Sequence, residues 1–250
     1  MSYSEGAEKY YDLFGEKDDA PFYIELAREH GVKVLELGVG TARLAIQLAR
    51  EGFETWGIDN SPYMLRAAER NLAKEPSEVR ERIHLELADI RDLSLDESFD
   101  MIYFPSFSFD HLLERGDQIR ALNEIRALVA PGGVYAFDLA HVPEVKADSG
   151  WFVQRKLLDD NTTIVRTGYH STDPDRRLMS VNLWYELYED GRMKERYFEG
   201  GEVYIHSVEG IKGLLRETGF EILALYGSHD KREFTEKSER MLIVARPKGS

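Results

Sequence analysis

Short apolar runs alternate with stretches of helical periodicity along roughly the first 140 residues of this chain. Residues 32–37 read as a buried strand, and residues 41–50 place Leu44, Ala45, Leu48 and Ala49 on one helical face. A second strand is expected over 55–58. Ser61-Pro62 then opens a helix carrying Met64, Leu65, Ala68 and Leu72, with Ser as the cap and Pro in the first turn. Strands follow at 83–87 and 99–104, then a helix at 119–129 on Leu122, Ile125 and Leu128. Pro131-Gly132-Gly133 stops that helix before a fifth strand at 134–139. Strand–helix repetition of this kind predicts a parallel sheet with helices on both faces.

The period changes after about residue 150. Val181, Leu183, Tyr185 and Leu187 alternate with Asn182, Trp184, Glu186 and Tyr188, which is the period of a strand. Asp159-Asp160-Asn161, Asp173-Pro174-Asp175 and Asp190-Gly191 supply the turns. Residues 151–206 therefore read as an antiparallel meander inserted into a domain built from 1–150 and 207–250. Ser207 caps a further helix through Leu214, Leu215 and Thr218, and Gly219 ends it. Strands at 220–226 and 240–245 bring the main sheet to seven. The expected fold class is α/β, a doubly wound and mostly parallel sheet with an inserted β-meander.

Composition removes several kinds of chemistry. The 250 residues include no cysteine, so there is no disulfide framework, thiolate metal site or cysteine nucleophile. The net charge of −14 argues against a broad basic face for duplex nucleic acid. The seven histidines show no metal-ligand spacing, and no metal is expected. No stretch approaches the ~18 apolar residues of a membrane span. The segment Met1 to Gly6 lacks the features of a signal peptide, so the chain reads as soluble and cytoplasmic.

Three acidic positions fall at the ends of neighbouring strands. Glu36 precedes Gly38-Val39-Gly40, a loop whose glycines let the backbone turn sharply and a ligand lie against it. Asp59 ends the second strand, where an acid meets ribose hydroxyls in nucleoside-binding α/β folds. Asp89 ends the third. Arg43 stands where a dinucleotide fingerprint needs a small residue, and no Walker lysine follows. The acidic rim suits a neutral or cationic nucleoside rather than a polyanion.

The segments Val34-Leu35-Glu36-Leu37-Gly38-Val39-Gly40-Thr41, Gly57-Ile58-Asp59-Asn60-Ser61, Ala88-Asp89-Ile90 and Leu128-Val129-Ala130-Pro131-Gly132-Gly133 resemble successive motifs of class I S-adenosylmethionine-dependent methyltransferases. Gly219-Phe220-Glu221 extends the resemblance towards the end of the chain. It implies a Rossmann-like fold, S-adenosyl-L-methionine as cofactor and S-adenosyl-L-homocysteine as product. It also implies that Gly38 and Gly40 approach the methionine moiety above Glu36, and that Asp59 binds both ribose hydroxyls. Asn60 and Met64 would line the adenine. Asp89 would accept from the adenine amino group, and the Ile90 N–H would donate to a ring nitrogen. The carbonyl near Phe104 would hold the methionine amino group. Tyr10-Tyr11-Asp12, expected in an N-terminal helical cap, resembles the aromatic segment that closes over the methyl group in small-molecule members, which makes Tyr11 a candidate catalytic residue.

Methyl transfer from a sulfonium needs alignment and exclusion of water more than it needs a base. A base matters more for a hydroxyl or carbon acid than for a neutral amine. The segment Phe104 to Leu112 lacks the Asn/Asp-Pro-Pro-Tyr/Phe motif of nucleic-acid amino methyltransferases and resembles the corresponding stretch of amino-sugar N-methyltransferases. Its His111 is the candidate for touching the nucleophile, with ordinary packing as the alternative. The insert carries Trp151, Phe152, Tyr169, Trp184, Tyr185, Tyr188 and Tyr197, together with Arg155, Arg166 and Arg196 for an anionic group. It is a candidate lid or homodimer face.

The expected function is methyl transfer to nitrogen or oxygen of a small molecule. An RNA methyltransferase needs a basic groove, whereas residues 151–206 hold eight Lys and Arg against ten Asp and Glu. The remaining alternative is a non-catalytic S-adenosylmethionine-binding protein.

Overall fold

The computed structural model describes residues 6–14 and 18–249. The chain opens with two single 3-10 turns, Ala7–Lys9 and Tyr11–Leu13, where the sequence predicts a helix. Besides its own turn hydrogen bonds, the segment is tied outward. Thr41 Oγ1 donates to Asp12 at 2.9 Å, and the Tyr10 hydroxyl donates to Glu195 at 3.0 Å. Helix α1 (Ala20–His30) follows, an element beyond those expected from the sequence. Its signals were present: Pro21 in the first turn, and Phe22, Tyr23, Leu26 and Ala27 on one buried stripe.

The alternating units then appear in order: β1 (Lys33–Leu37), α2 (Arg43–Arg50), β2 (Glu54–Asp59), α3 (Pro62–Leu72), the single turn α4 (Ser77–Arg80), β3 (Ile83–Leu87), β4 (Phe99–Phe104), α5 (Arg115–Leu128) and β5 (Val129–Ala140). Ser61 caps α3, its Oγ accepting from the Met64 N–H at 3.3 Å. Strand β5 begins directly at the end of α5, five residues before the strand expected at 134. The β4–β5 register shifts between Phe99 and Met101, which takes up Pro131 to Gly133 as an irregularity. A Cβ on Gly133 would lie 2.8 Å from the Asp100 carbonyl oxygen, so only glycine lets the strands approach there.

Four long antiparallel strands come next: β6 (Asp148–Leu157), β7 (Thr162–Asp173), β8 (Leu178–Glu189) and β9 (Arg192–Tyr204). They form a separate sheet in chain order, joined at the three turns the sequence marks. The sheet starts at 148 because Asp148, Ser149 and Gly150 pair with Thr172, Ser171 and His170. Helix α6 (Val208–Glu217), β10 (Phe220–Tyr226) and β11 (Arg240–Pro247) complete the chain. Among the described residues no helix is long and apolar enough to cross a membrane.

The seven-stranded sheet has the order β10-β11-β5-β4-β1-β2-β3, with only β11 antiparallel to its neighbours. Alternate residues of β4 enter opposite cores. Met101 and Tyr103 pack with α1 and α2, while Ile102 and Phe104 pack with α5 and α6. Burial on both faces explains why these strands read as continuous apolar runs. The chain leaves β1 towards β2 on one side, and β4 lies on the other. The carboxyl ends of β1 and β4 therefore flank the switch point where such sheets bind ligands.

Candidate active site

A cavity of about 230 Å³ opens at that switch point. All eleven residues singled out from the sequence line it: Tyr11, Glu36, Gly38, Gly40, Asp59, Asn60, Met64, Asp89, Ile90, Phe104 and His111. The loop after β1 is left-handed at Gly38 (φ 63°) and Gly40 (φ 56°), and the Phe104 ring comes within 3.1 Å of where a Gly38 Cβ would stand. The loop is thus glycine for two reasons, conformation and space.

Asp59 ties this loop to the next unit. One carboxylate oxygen accepts from the Gly40 N–H and the other from the Ser61 N–H, each at 2.8 Å. Burial raises its pKa, and these backbone donors hold it back. Each oxygen keeps a lone-pair direction for a further donor. Glu36 is buried at the end of β1 and accepts from the Tyr103 hydroxyl at 3.0 Å. Burial pushes its carboxyl up to about 8.

Around Asp89 the polar network includes groups beyond those expected from the sequence. Arg91 Nη2 and Nε donate to the two oxygens of Asp89 at 2.6 and 2.9 Å, and Nη1 donates to Asp117 at 2.7 Å. The bidentate Arg91 contact lowers the Asp89 pKa and fixes the carboxylate as an oriented acceptor. Arg91 and Asp117 both line the cavity, and sequence reasoning named neither. The clue for Arg91 was its place two residues past the acid. Asp117, on α5, joins only through the fold. Arg43 likewise serves as a brace, making a bidentate pair with buried Asp19 at 2.7 and 2.6 Å.

At the other end lies the turn after β4. Ser106 (φ 61°) and Phe107 (φ 59°) are consecutive non-glycine residues in the left-handed region, a strain that clusters at functional sites. The Asp138–Arg240 ion pair, at 2.8 Å, sits beneath this turn, and the Phe107 ring covers the Arg240 guanidinium. His111 closes the segment. Burial holds its imidazole down at about 4, with the Glu202 backbone drawing it back up, so the ring is neutral at pH 7. The three arginines of the insert do not converge. Arg166 lies on the inner face against Phe14, whereas Arg196 pairs with Glu186 on the outer face, where Arg155 also lies.

Residues 34–133 match the family described as a methyltransferase domain. A glycine/sarcosine N-methyltransferase of Parasynechococcus marenigrum (strain WH8102) is 28% identical over 222 residues, covering 85% of this chain and 72% of that protein. The CcbJ methyltransferase from Streptomyces caelestis superposes with a TM-score of 0.84 at 20% identity, covering 99% of this chain and 98% of that one. S-adenosylmethionine-bound CalS10, an amino pentose methyltransferase from Micromonospora echinaspora, gives 0.73 at 19% identity, covering 98% of each. Residues 34–133 thus carry a methyltransferase domain of the class I S-adenosylmethionine-dependent type, and the solved structures share the fold of the chain around it. The cavity fits that cofactor. Asp59 offers two oriented oxygens to a vicinal diol, Met64 an apolar wall, the glycine loop room for close approach, and the acidic rim a complement to a sulfonium.

Proposed function

We propose that the enzyme methylates a nitrogen or oxygen of a small molecule, and that the acceptor enters between Tyr11 and His111. The observation that carries this reading is that both side chains line the same cavity as Asp59 and Asp89. Bound S-adenosylmethionine supplies a methyl group on a sulfonium, which is already activated for in-line displacement. In this proposal Asp59 receives the ribose hydroxyls, Glu36 and the glycine loop flank the methionine moiety, and Asp89 with the Ile90 N–H reads the adenine edge. The Asn60 and Met64 side chains line its ring, and the Phe104 carbonyl receives the methionine amino group. His111, neutral at pH 7, offers an acceptor to the nucleophile's N–H or O–H, and Tyr11 and Phe104 exclude water. An acceptor arriving as a free amine needs no strong base.

The two similar proteins named for glycine/sarcosine and an amino pentose support a small acceptor. The acidic balance of residues 151–206 counts against an RNA groove. The outer face of the four-stranded sheet supports a homodimer. Trp151 is 66% exposed and stacks on Trp184, beside Phe198 at 48%. The test is a screen of amines, alcohols and transfer RNA with labelled S-adenosylmethionine. Label in small amines or alcohols is expected. Label only in RNA, or cofactor binding with no transfer anywhere, would overturn the proposal.

A further inference from the structure

Asp89 is engaged at three points by a single residue. Its Oδ1 accepts from the Arg91 backbone N–H and from Arg91 Nε, each at 2.9 Å, and its Oδ2 accepts from Arg91 Nη2 at 2.6 Å. A carboxylate offers about four lone-pair directions. Three are taken, and the one left belongs to Oδ2. Arg91 is gripped in turn from a second element, because Asp117 on α5 accepts from its Nη1 at 2.7 Å. All three side chains line the cavity and stay partly exposed, Asp89 at 36%, Arg91 at 40% and Asp117 at 29%. Ion pairs this exposed add little to stability, so the fold alone gives no reason for so complete a brace.

The backbone of the same turn supplies a donor. The Asp92 N–H closes the turn on the Asp89 carbonyl at 2.9 Å, and the Ile90 N–H between them has no partner among the described residues. One N–H donor therefore stands next to one carboxylate acceptor. Adenine answers both, with ring N1 as acceptor and its 6-amino group as donor. Hypoxanthine presents the reverse at both positions, a ring N–H and a 6-carbonyl. Each contact then sets donor against donor or acceptor against acceptor, and leaves polar groups unpaired in a site built for hydrogen bonds.

We propose that Arg91, held by Asp117, is a positioning residue for the cofactor's base: it restricts Asp89 to one acceptor site and so makes the pocket select a 6-amino over a 6-oxo purine. This deepens the cofactor reading above and rests on it. Without the arginine the Asp89 carboxylate rotates about its own side chain and meets water instead of presenting a fixed lone pair. The Arg91 contact also holds the Asp89 carboxyl below the usual carboxylate range, so the group accepts and does not donate.

The experiment measures Kd by calorimetry for S-adenosylhomocysteine and S-inosylhomocysteine on the full chain. The parent is expected to favour the adenine ligand at least tenfold. Arg91→Met should cut that ratio at least fivefold, through weaker binding of S-adenosylhomocysteine. Arg91→Lys keeps the charge but lacks the planar fork, and should resemble Arg91→Met. Asp117→Asn loosens the arginine without touching Asp89 and should cut the ratio in the same direction. The melting temperature is the control readout, because Arg91→Met should move it by no more than about 4 °C if the brace serves the ligand. A parent without preference, a ratio preserved in Arg91→Met, a full ratio in Arg91→Lys or a larger loss of melting temperature would overturn the proposal. A ratio unchanged in Asp117→Asn would overturn the part given to Asp117. The parent's affinity for S-adenosylhomocysteine is read first. No binding there would overturn the cofactor reading itself, and a preference that survives in Asp89→Ala would overturn the role of Asp89, so neither is confused with a failure at Arg91.

Discussion

Asp59 accepts from Gly40 and Ser61, so one carboxylate joins the glycine loop to the cap of α3 while keeping lone pairs for a ligand. Asp59→Ala is expected to weaken S-adenosylmethionine binding at least tenfold, about 1.4 kcal/mol. Calorimetry checks this, and an unchanged affinity would remove the ribose role. Glu36 gives a prediction in pH. Its folded value of about 8 lies above the ordinary 4.5, so the folded protein keeps a proton that the unfolded chain has released. The associated stability is fully present below 4.5 and is lost as pH rises towards 8. The slope in that window is about 1.4 kcal/mol per pH unit. Glu36→Gln lacks this loss, so its stability relative to the parent should climb across the window in denaturant titrations. A difference that does not vary with pH would refute the burial argument. His111→Ala, by contrast, should lower kcat at least tenfold with cofactor affinity unchanged. If kcat holds, the ring is packing only.

At the level of elements, the turn after β4 is where local sequence preference and structure disagree. Ser106 and Phe107 both adopt left-handed backbone, and Phe107 N–H reaches towards Asp138 at 3.5 Å. Ser106→Gly relieves one strained residue and should raise stability by up to about 1 kcal/mol, read as a higher melting temperature. A lower melting temperature would mean that the serine side chain, not the backbone, decides this position. The same turn shows the reach of sequence reasoning. Strand β4 and its neighbours were legible because burial on both faces writes an apolar run into consecutive residues. Gly38, Asp59 and Asp89 were legible because strand ends recur at a regular spacing. Arg91–Asp117, Asp138–Arg240 and the approach of His206 to Asp110 at 3.9 Å were not, because each joins residues far apart in the chain.

For the whole molecule, the four-stranded sheet has two different faces. The inner face packs Ile164 and Tyr185 against Tyr10, and so ties the sheet to the turn that lines the reaction cavity. The outer face stacks Trp151, Tyr169, Trp184 and Phe198, with Val153 exposed beside them. Burial drives apolar side chains from water at roughly 25 cal/mol per Å², so a contiguous aromatic face of this kind favours a second copy over solvent. The net charge of −14 opposes association at long range, and salt screens it. Sedimentation at micromolar concentration should therefore give twice the monomer mass, more completely at higher salt. Trp151→Glu combined with Phe198→Glu places like charges in the contact and should yield a monomer whose S-adenosylmethionine affinity is unchanged, since neither side chain lines the cavity. A parent protein that stays monomeric across the concentration range, or a double variant that still dimerises, would show that this face is not the interface.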